Sequence, residues 1–136
     1  SFGLFHGHAW PDPSLLACEQ LITAHMHPVV VFREGPYFRT TVRVWLIAPC
    51  DGNCLANELL RRKRGSVGEP KAKELVVMPS FNEFLGGQAI NRRHGEGEGL
   101  IGPVLQTACV DMVRASVYML DGTYLGTVGQ LRLAGI

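Results

Sequence analysis

The chain has little charge and no long apolar run. Charged residues make up 18% of its 136 residues and the net charge is +1, so the overall field gives no argument for a nucleic-acid or membrane partner. No stretch approaches about 18 uninterrupted apolar residues, so we expect no transmembrane helix. The start of the chain also lacks the basic region and small-residue cleavage site of a signal peptide. These absences predict a globular protein that makes no contact with membranes.

Cysteine is scarce as well. The chain has four cysteines, at positions 18, 50, 54 and 109. They are too few for a disulfide scaffold in a chain of this length, which favours a reducing, cytoplasmic environment. Cys50 and Cys54 have a spacing that zinc sites use, but no second close pair completes such a site. The sequence therefore gives structural zinc little support.

Apolar residues are plentiful and follow strand-like patterns. They make up 46% of the chain, and neither a repeat nor a linker divides it, so we expect residues 1–136 to form one unit. Apolar or alternating runs predict buried strands at 2–5, 21–24 and 74–78, a hairpin of strands at 29–33 and 38–47, and a second hairpin of strands at 115–120 and 123–133. Short helices are expected at 13–19, capped by Asp12, and at 55–64, inside an insertion at 49–73. The predicted fold is a β-rich α/β fold with few short helices.

Two histidine pairs follow the first two of these apolar runs. His6 and His8 form one pair, and His25 and His27 the other. In an extended strand, residues two apart point to the same face, so each pair would present two imidazoles together. Pro28 is expected to end regular strand pairing just after the second pair. Because imidazoles that converge at strand ends suit Zn²⁺, Mn²⁺ or Fe²⁺, the pattern favours a metal or phosphate site.

The order of these motifs resembles that of the calcineurin-like metallophosphoesterases. Phe5-His6-Gly7-His8 and Ala24-His25-Met26-His27 are similar to the last two metal motifs of that family, H-G-H and G-H-x-H, with Ala24 where the family usually has Gly. The segments at 42–47, 74–87, 89–91 and 117–126 are similar to one branch of the family. That branch is related to the nuclease subunit of double-strand-break DNA repair and includes archaeal and DNA-ligase-associated phosphoesterases. The resemblance extends over nearly the whole chain.

This resemblance implies both a fold and a reaction. The fold would be the C-terminal half of a four-layer αββα sandwich, and the reaction metal-dependent hydrolysis of phosphomonoesters or phosphodiesters, nucleic acid included. Family members normally hold two divalent metals (Mn, Zn, Fe or Ni) about 3.5–4 Å apart. By the match of motifs, His6 and His25 would bind one metal and His27 the other. His8, the candidate catalytic residue, would donate a hydrogen bond to a phosphate oxygen or support a metal ligand without binding the metal itself.

The carboxylate-bearing N-terminal motifs of the family, D-x-H, G-D and G-N-H-D/E, are not in this chain. The histidines alone would make at most a single-metal site with an open position. Three hypotheses follow. The chain is the C-terminal part of a larger phosphoesterase, or a subunit whose partner chain brings the carboxylates, or a degenerate domain that binds metal or partners without catalysis. Because a half of this kind exposes a sheet edge and apolar surface, we expect an N-terminal half, a partner chain or self-association.

Several polar residues are further candidates. Asn82 and Asn91 are predicted to bind substrate, with a capped turn as the alternative for Asn82. The run 91–94 contains arginines that suit a phosphodiester backbone, with a solvated loop as the alternative. Trp10 would either stack on a base or pack against the protein. The basic run at 61–64 is interpreted as solvated.

Two other enzyme classes share single motifs with the chain. His25-Met26-His27 has the form of the metal pair in rolling-circle nucleases, but Tyr118 and Tyr124 lie in a predicted hairpin and not on the helix that this class needs. Asp51-Gly-Asn-Cys54 resembles the nucleophile motif of ovarian-tumour-type cysteine proteases. That class also needs a long apolar helix and a late catalytic histidine, and only His94 lies downstream. Both interpretations have less support than the phosphoesterase.

Overall fold

The computed structural model describes residues 1–82, 84, 86–92, 100 and 102–134. It shows a mixed α/β fold that is rich in strands. The strands are β1 (Phe2–Leu4), β2 (Gln20–Thr23), β3 (Pro28–Glu34), β4 (Phe38–Pro49), β5 (Glu74–Val77), β6 (Gln88–Ala89), β7 (Ser116–Met119) and β8 (Tyr124–Thr127). The helices are a 3₁₀ helix (Pro13–Ala17), α1 (Gly52–Arg61) and α2 (Val128–Ala134). Glu83, His94 and the rest of the predicted loop at 93–99 lie outside the described residues.

Three parallel strands form one part of the sheet. β1 pairs with β2, and β2 pairs with β5, all in the same direction. β4 then continues the sheet antiparallel to β5. Because parallel strands end at the same edge, the segments that follow β1, β2 and β5 come together there. Sites in α/β proteins commonly lie at such an edge.

The long strand β4 joins this parallel part to the rest of the sheet. It has 12 residues. Its first half pairs with β3, and its second half pairs with β5 on one edge and with β7 on the other. The predicted hairpin of β3 and β4 is confirmed, as is the hairpin of β7 and β8. β6 adds a short parallel pairing to the start of β3.

The core lies between the sheet and α1. Leu21, Leu75 and Leu46 from the sheet are 0% exposed, and Leu55 and Leu59 of α1 are at most 2% exposed. The two helix residues are four apart, so they share one face. Complete burial of each such leucine is worth about 2 kcal/mol relative to exposure. These residues belong to one core cluster, and α1 also contacts the 3₁₀ helix that lies between β1 and β2 in the chain.

Both predicted helix caps are present, although the helices differ in extent from the prediction. Asp12 accepts a hydrogen bond from the Ser14 N–H at 2.9 Å, and the helix that follows is a 3₁₀ helix that ends at Ala17. α1 begins at Gly52, three residues before its predicted start, because Asp51 accepts a hydrogen bond from the Cys54 N–H at 3.1 Å. Capping therefore sets the start of both helices.

The prediction of a buried first strand is wrong. β1 has three residues, of which Phe2 is 64% and Leu4 68% exposed. Gly3 alone faces inward, because a Cβ at that position would lie 2.9 Å from Leu21. None of the described strands pairs with the free edge of β1. β1 is therefore an edge strand with an exposed apolar face.

The predicted strand at 123–133 is also wrong in its second half. β8 ends at Thr127, and residues 128–134 form α2. The Thr127 N–H donates to Gln130 Oε1 at 2.9 Å, and the Gln130 N–H donates to Thr127 Oγ1 at 3.2 Å. This reciprocal pair is a capping box, the T-x-x-Q signal of a helix start. The signal was in the sequence and the strand prediction overlooked it.

A disulfide joins Cys54, in α1, to Cys109, with the two Cα atoms 5.4 Å apart. Cys18 and Cys50 are free thiols. Because disulfides are uncommon in the cytosol of most organisms, the cysteine content no longer supports a reducing compartment. Within the described part of the chain, no helix has both the length and the apolar character needed to cross a membrane.

Candidate functional site

The two histidine pairs follow neighbouring parallel strands, and the backbone holds these segments together beyond the strand ends. The Phe5 N–H donates to the Ile22 carbonyl at 3.1 Å, and the Ala24 N–H donates to the His6 carbonyl at 3.3 Å. The loop after β1 is thus attached to the end of β2. This arrangement brings His6 and His8 next to His25.

Three imidazoles meet at this point. His6 Nδ1 and His8 Nδ1 lie 2.9 Å apart, within hydrogen-bond distance. The ring centroid of His6 is 4.8 Å from that of His8 and 4.9 Å from that of His25, and the centroids of His8 and His25 are 6.2 Å apart. We refer to His6, His8 and His25 as the histidine cluster.

Gly7 makes the close approach of the two loops possible. Its φ is +105°, and a Cβ there would lie 2.6 Å from Thr23 Oγ1 and 3.0 Å from the Ala24 carbonyl oxygen. Thr23 itself is 2% exposed, and its Oγ1 has no hydrogen-bond partner among the described residues. The glycine of the H-G-H motif is therefore required by both backbone conformation and space.

The second histidine pair does not lie in an extended strand, so the predicted strand geometry is wrong. His25 has φ +70° and His27 has φ +50°, a left-handed conformation that is uncommon outside glycine. Between them, Met26 is 1% exposed, and its N–H donates to the Ala24 carbonyl at 2.8 Å. Burial of Met26 holds the turn. Pro28 begins β3 instead of ending the pairing. Left-handed non-glycine residues cost about 1–3 kcal/mol each and cluster at functional sites.

His27 and His25 line a groove on the surface of the protein. The other side of this groove is formed by Gly86, Gly87 and Gln88. The Gln88 N–H donates to the His27 carbonyl at 3.0 Å, and a Cβ at Gly87 would overlap that carbonyl oxygen. His25 therefore belongs both to the histidine cluster and to the groove that contains His27.

The electrostatics of the site favour a neutral His25. Burial lowers the pKa of His25 below its ordinary value, and the charges of His6, His8 and His27 lower it further. Desolvation and like charges both disfavour the imidazolium form. Since only a neutral imidazole can ligate a metal, the surroundings favour the form of His25 that a metal site would need.

The side chains of the histidine cluster are of a type that binds metal ions, but their present arrangement does not form a complete metal site. Among the described residues, no group of three or more His, Cys, Asp or Glu side chains is arranged to hold a metal ion. However, a metal-ligating histidine usually donates its other ring N–H to a fixed partner. His6 has such a partner in His8. The donors therefore suit one borderline divalent ion, and a bridged two-metal centre would need carboxylates from elsewhere.

The two predicted substrate-binding asparagines lie in turns and pairings of the fold. Asn82 is exposed, and its Oδ1 accepts from the Phe84 N–H at 2.9 Å, which makes the capped turn that was the alternative. Asn91 is 5% exposed. Its amide accepts from the Val31 N–H at 3.0 Å and donates to the Val31 carbonyl at 2.8 Å. Asn91 thus extends the sheet beside β3, and the structure adds no support for a contact with substrate.

Sequence reasoning missed the position of the basic run at 61–64. The guanidinium carbon of Arg62 lies 4.7 Å from the centre of the Trp10 ring. Arg64 lines the same groove as His8 and Trp10. All four residues of the run are exposed, as predicted, and the run lies beside the histidine cluster. No local signal in the sequence indicates this, because the contact depends on how α1 packs.

Comparisons of the chain with protein-family models, with curated proteins and with solved structures found no match. The order of the motifs and the geometry of the histidine cluster are therefore the features that indicate a function.

Proposed function

We propose that this chain is the C-terminal half of a calcineurin-like metallophosphoesterase, a four-layer αββα sandwich when complete. It would supply the histidine side of a site that hydrolyses phosphomonoesters or phosphodiesters, nucleic acid included. The observation that carries the proposal is the meeting of His6, His8 and His25 at the ends of two parallel strands. The order of these residues along the chain is also that of the family's last two metal motifs.

The residues take roles that follow from their positions. His6 and His25 would hold one divalent ion, and His27, in the adjoining groove, would hold a second. Such ions, when bound, lower the pKa of a water molecule and stabilise the oxygens of the phosphoryl group. His8 would not bind a metal and would instead donate a hydrogen bond to a phosphate oxygen.

The hydrogen bond between His6 and His8 is compatible with this division of roles. One Nδ1 donates and the other accepts, and either ring can be the donor. If His6 donates, its Nε2 presents a lone pair, which is what a metal needs. His8 then carries its proton on Nε2, where it can be donated to a phosphate oxygen. One hydrogen bond thus prepares one ring as a ligand and the other as a donor.

The missing carboxylates would come from an N-terminal half or a partner chain. The exposed face of β1, with Phe2 and Leu4, is a suitable place for such a partner, since exposed edges and apolar patches favour association. The alternative proposal is a non-catalytic metal-binding or interaction domain. It is favoured by the lack, among the described residues, of a complete ligand set.

The first test is metal content by elemental analysis after dialysis against Mn²⁺, together with hydrolysis of bis-p-nitrophenyl phosphate. We expect bound metal in the native chain and its loss in His6→Ala and His25→Ala. Lys73→Ala is the control, because Lys73 precedes β5 at the opposite end of the strands. Failure of the native chain to retain metal would overturn the proposal. Hydrolysis that is lost in the same two variants would support catalysis, and bound metal without hydrolysis would favour the non-catalytic alternative.

A further inference from the structure

The C-terminal end of α1 is folded against the loop that carries His8. The Lys63 N–H donates to the Leu60 carbonyl at 3.0 Å, and the Arg64 N–H donates to the Leu59 carbonyl at 2.9 Å. Lys63 and Gly65 have φ +57° and +111°, so the chain turns sharply there. A Cβ at Gly65 would lie 3.1 Å from Pro13. The basic run at 61–64 therefore has a fixed place in the fold.

Two adjoining grooves run along this end of α1. The first, of about 460 Å³, is lined by residues that include His8, Trp10 and Arg64. The second, of about 420 Å³, is lined by Trp10, Arg61 and Arg62 among others. Trp10, Pro103 and Gln106 line both grooves. Together they form a trough that leads from the histidine cluster past Trp10 to Arg61.

The charge along the trough is positive and only partly neutralised. Glu58 pairs with Arg61 at 2.7 Å and with Arg62 at 3.4 Å. Arg64 has no ion pair within the described residues, and it is the arginine that shares a groove with His8. An unpaired guanidinium beside a candidate phosphate site is suited to bidentate binding of a second phosphate.

We propose that the trough binds a single strand of nucleic acid, with one phosphate on Arg64 and a base against the Trp10–Arg62 pair. This inference rests on the proposed function and names its substrate class. The trough extends well beyond one phosphate group, which is more than a small phosphomonoester needs. An aromatic ring between cationic side chains is the usual composition of a surface that binds single strands, because bases stack and phosphates pair. Inorganic polyphosphate would use the arginines without the ring.

Fluorescence anisotropy with a fluorescein-labelled oligothymidylate of about 12 nucleotides tests the inference without any need for turnover. Arg64→Gln is expected to weaken binding about five- to tenfold, and to reduce the dependence of log K on log salt by about 0.7, one phosphate contact. Trp10→Leu is expected to weaken binding by a similar factor, while Trp10→Phe retains most of it. Arg39→Gln is the matched control, since it removes the same charge at the start of β4, away from the trough.

Equal affinity of Arg64→Gln and the native chain would overturn the inference. So would competition by polyphosphate combined with unchanged binding in Trp10→Leu, which would assign the trough to polyphosphate. Metal content is measured separately from oligonucleotide binding. Arg64→Gln is expected to retain its Mn²⁺, and His25→Ala to lose Mn²⁺ while still binding the oligonucleotide. Failure of the trough and failure of the metal site can thus be told apart.

Discussion

Gly7 and Thr23 are in contact where the loop after β1 crosses the end of β2. A Cβ on Gly7 would lie 2.6 Å from Thr23 Oγ1, closer than real side chains approach one another. The contact holds the segment that carries His6 and His8 against the turn that carries His25. The spacing of the histidine cluster therefore depends on a residue that has no ligand atom of its own.

Gly7→Ala is expected to lower the free energy of unfolding by about 2–4 kcal/mol, and to weaken Mn²⁺ binding. The positive φ accounts for about 1–2 kcal/mol of this, and the overlap with Thr23 and Ala24 accounts for the rest. Urea unfolding measures the first effect and elemental analysis the second. Gly35→Ala is the matched control, because its φ is also positive, +71°, but nothing lies within 4 Å of its Cβ position. Equal destabilisation of the two variants would show that the loops do not need this close contact.

Asn91→Ala is expected to destabilise the fold by about 2–4 kcal/mol, since it leaves both the N–H and the carbonyl of the buried Val31 without their partner. Asn82→Ala removes one exposed turn bond and should cost about 1 kcal/mol or less. Chemical unfolding of both variants makes the comparison. A stable Asn91→Ala protein with weakened hydrolysis of a phosphodiester would instead favour the substrate role predicted from the sequence.

The sequence placed the two histidine pairs after neighbouring strands, and did so for physical reasons. Apolar runs that end in polar motifs are typical of buried parallel strands, and those runs predict that His6, His8 and His25 lie at strand ends. The periodicity of apolar residues could not predict the conformation of His25-Met26-His27. A left-handed turn is stabilised there by the burial of Met26 in a core made of distant residues. The alternation of side chains in an extended strand therefore does not apply to that segment.

Long-range contacts account for the other differences. The partner of Cys54 is 55 residues away, and spacing alone does not determine disulfide connectivity. The basic run at 61–64 is exposed, as predicted, but the contact of Arg62 with Trp10 joins residues that are far apart in the sequence and so gave no local signal. In contrast, the Thr127-Val-Gly-Gln130 capping box was a local signal, and a search for T-x-x-Q would have ended β8 at the observed residue.

The Cys50 thiol is expected to react slowly with iodoacetamide in the folded protein. Burial raises its pKa to about 11, and the nearby charges of Asp51 and Glu74 contribute. The ordinary value is 9.0, so at pH 8 the reactive thiolate is about a hundredfold rarer in the folded chain than in the unfolded chain. The rate should rise with pH up to about 11. Mass spectrometry of adducts formed with and without urea measures the difference, and equal rates in the two conditions would contradict the burial of this thiol.

Reduction of the disulfide between Cys54 and Cys109 is expected to destabilise the protein substantially. The bond closes a loop with a sequence separation of 55 residues, for which chain entropy predicts a contribution of about 4 kcal/mol. Urea unfolding with and without a phosphine reductant measures it, and the double variant Cys54→Ser, Cys109→Ser should reproduce the reduced value. Cys18→Ser is the control, because Cys18 is a free thiol and its removal should leave the effect of the reductant unchanged. If the native protein and the double variant unfold at the same urea concentration, α1 is held by its apolar face alone. The trough between its basic end and Trp10 would then persist in a reducing compartment.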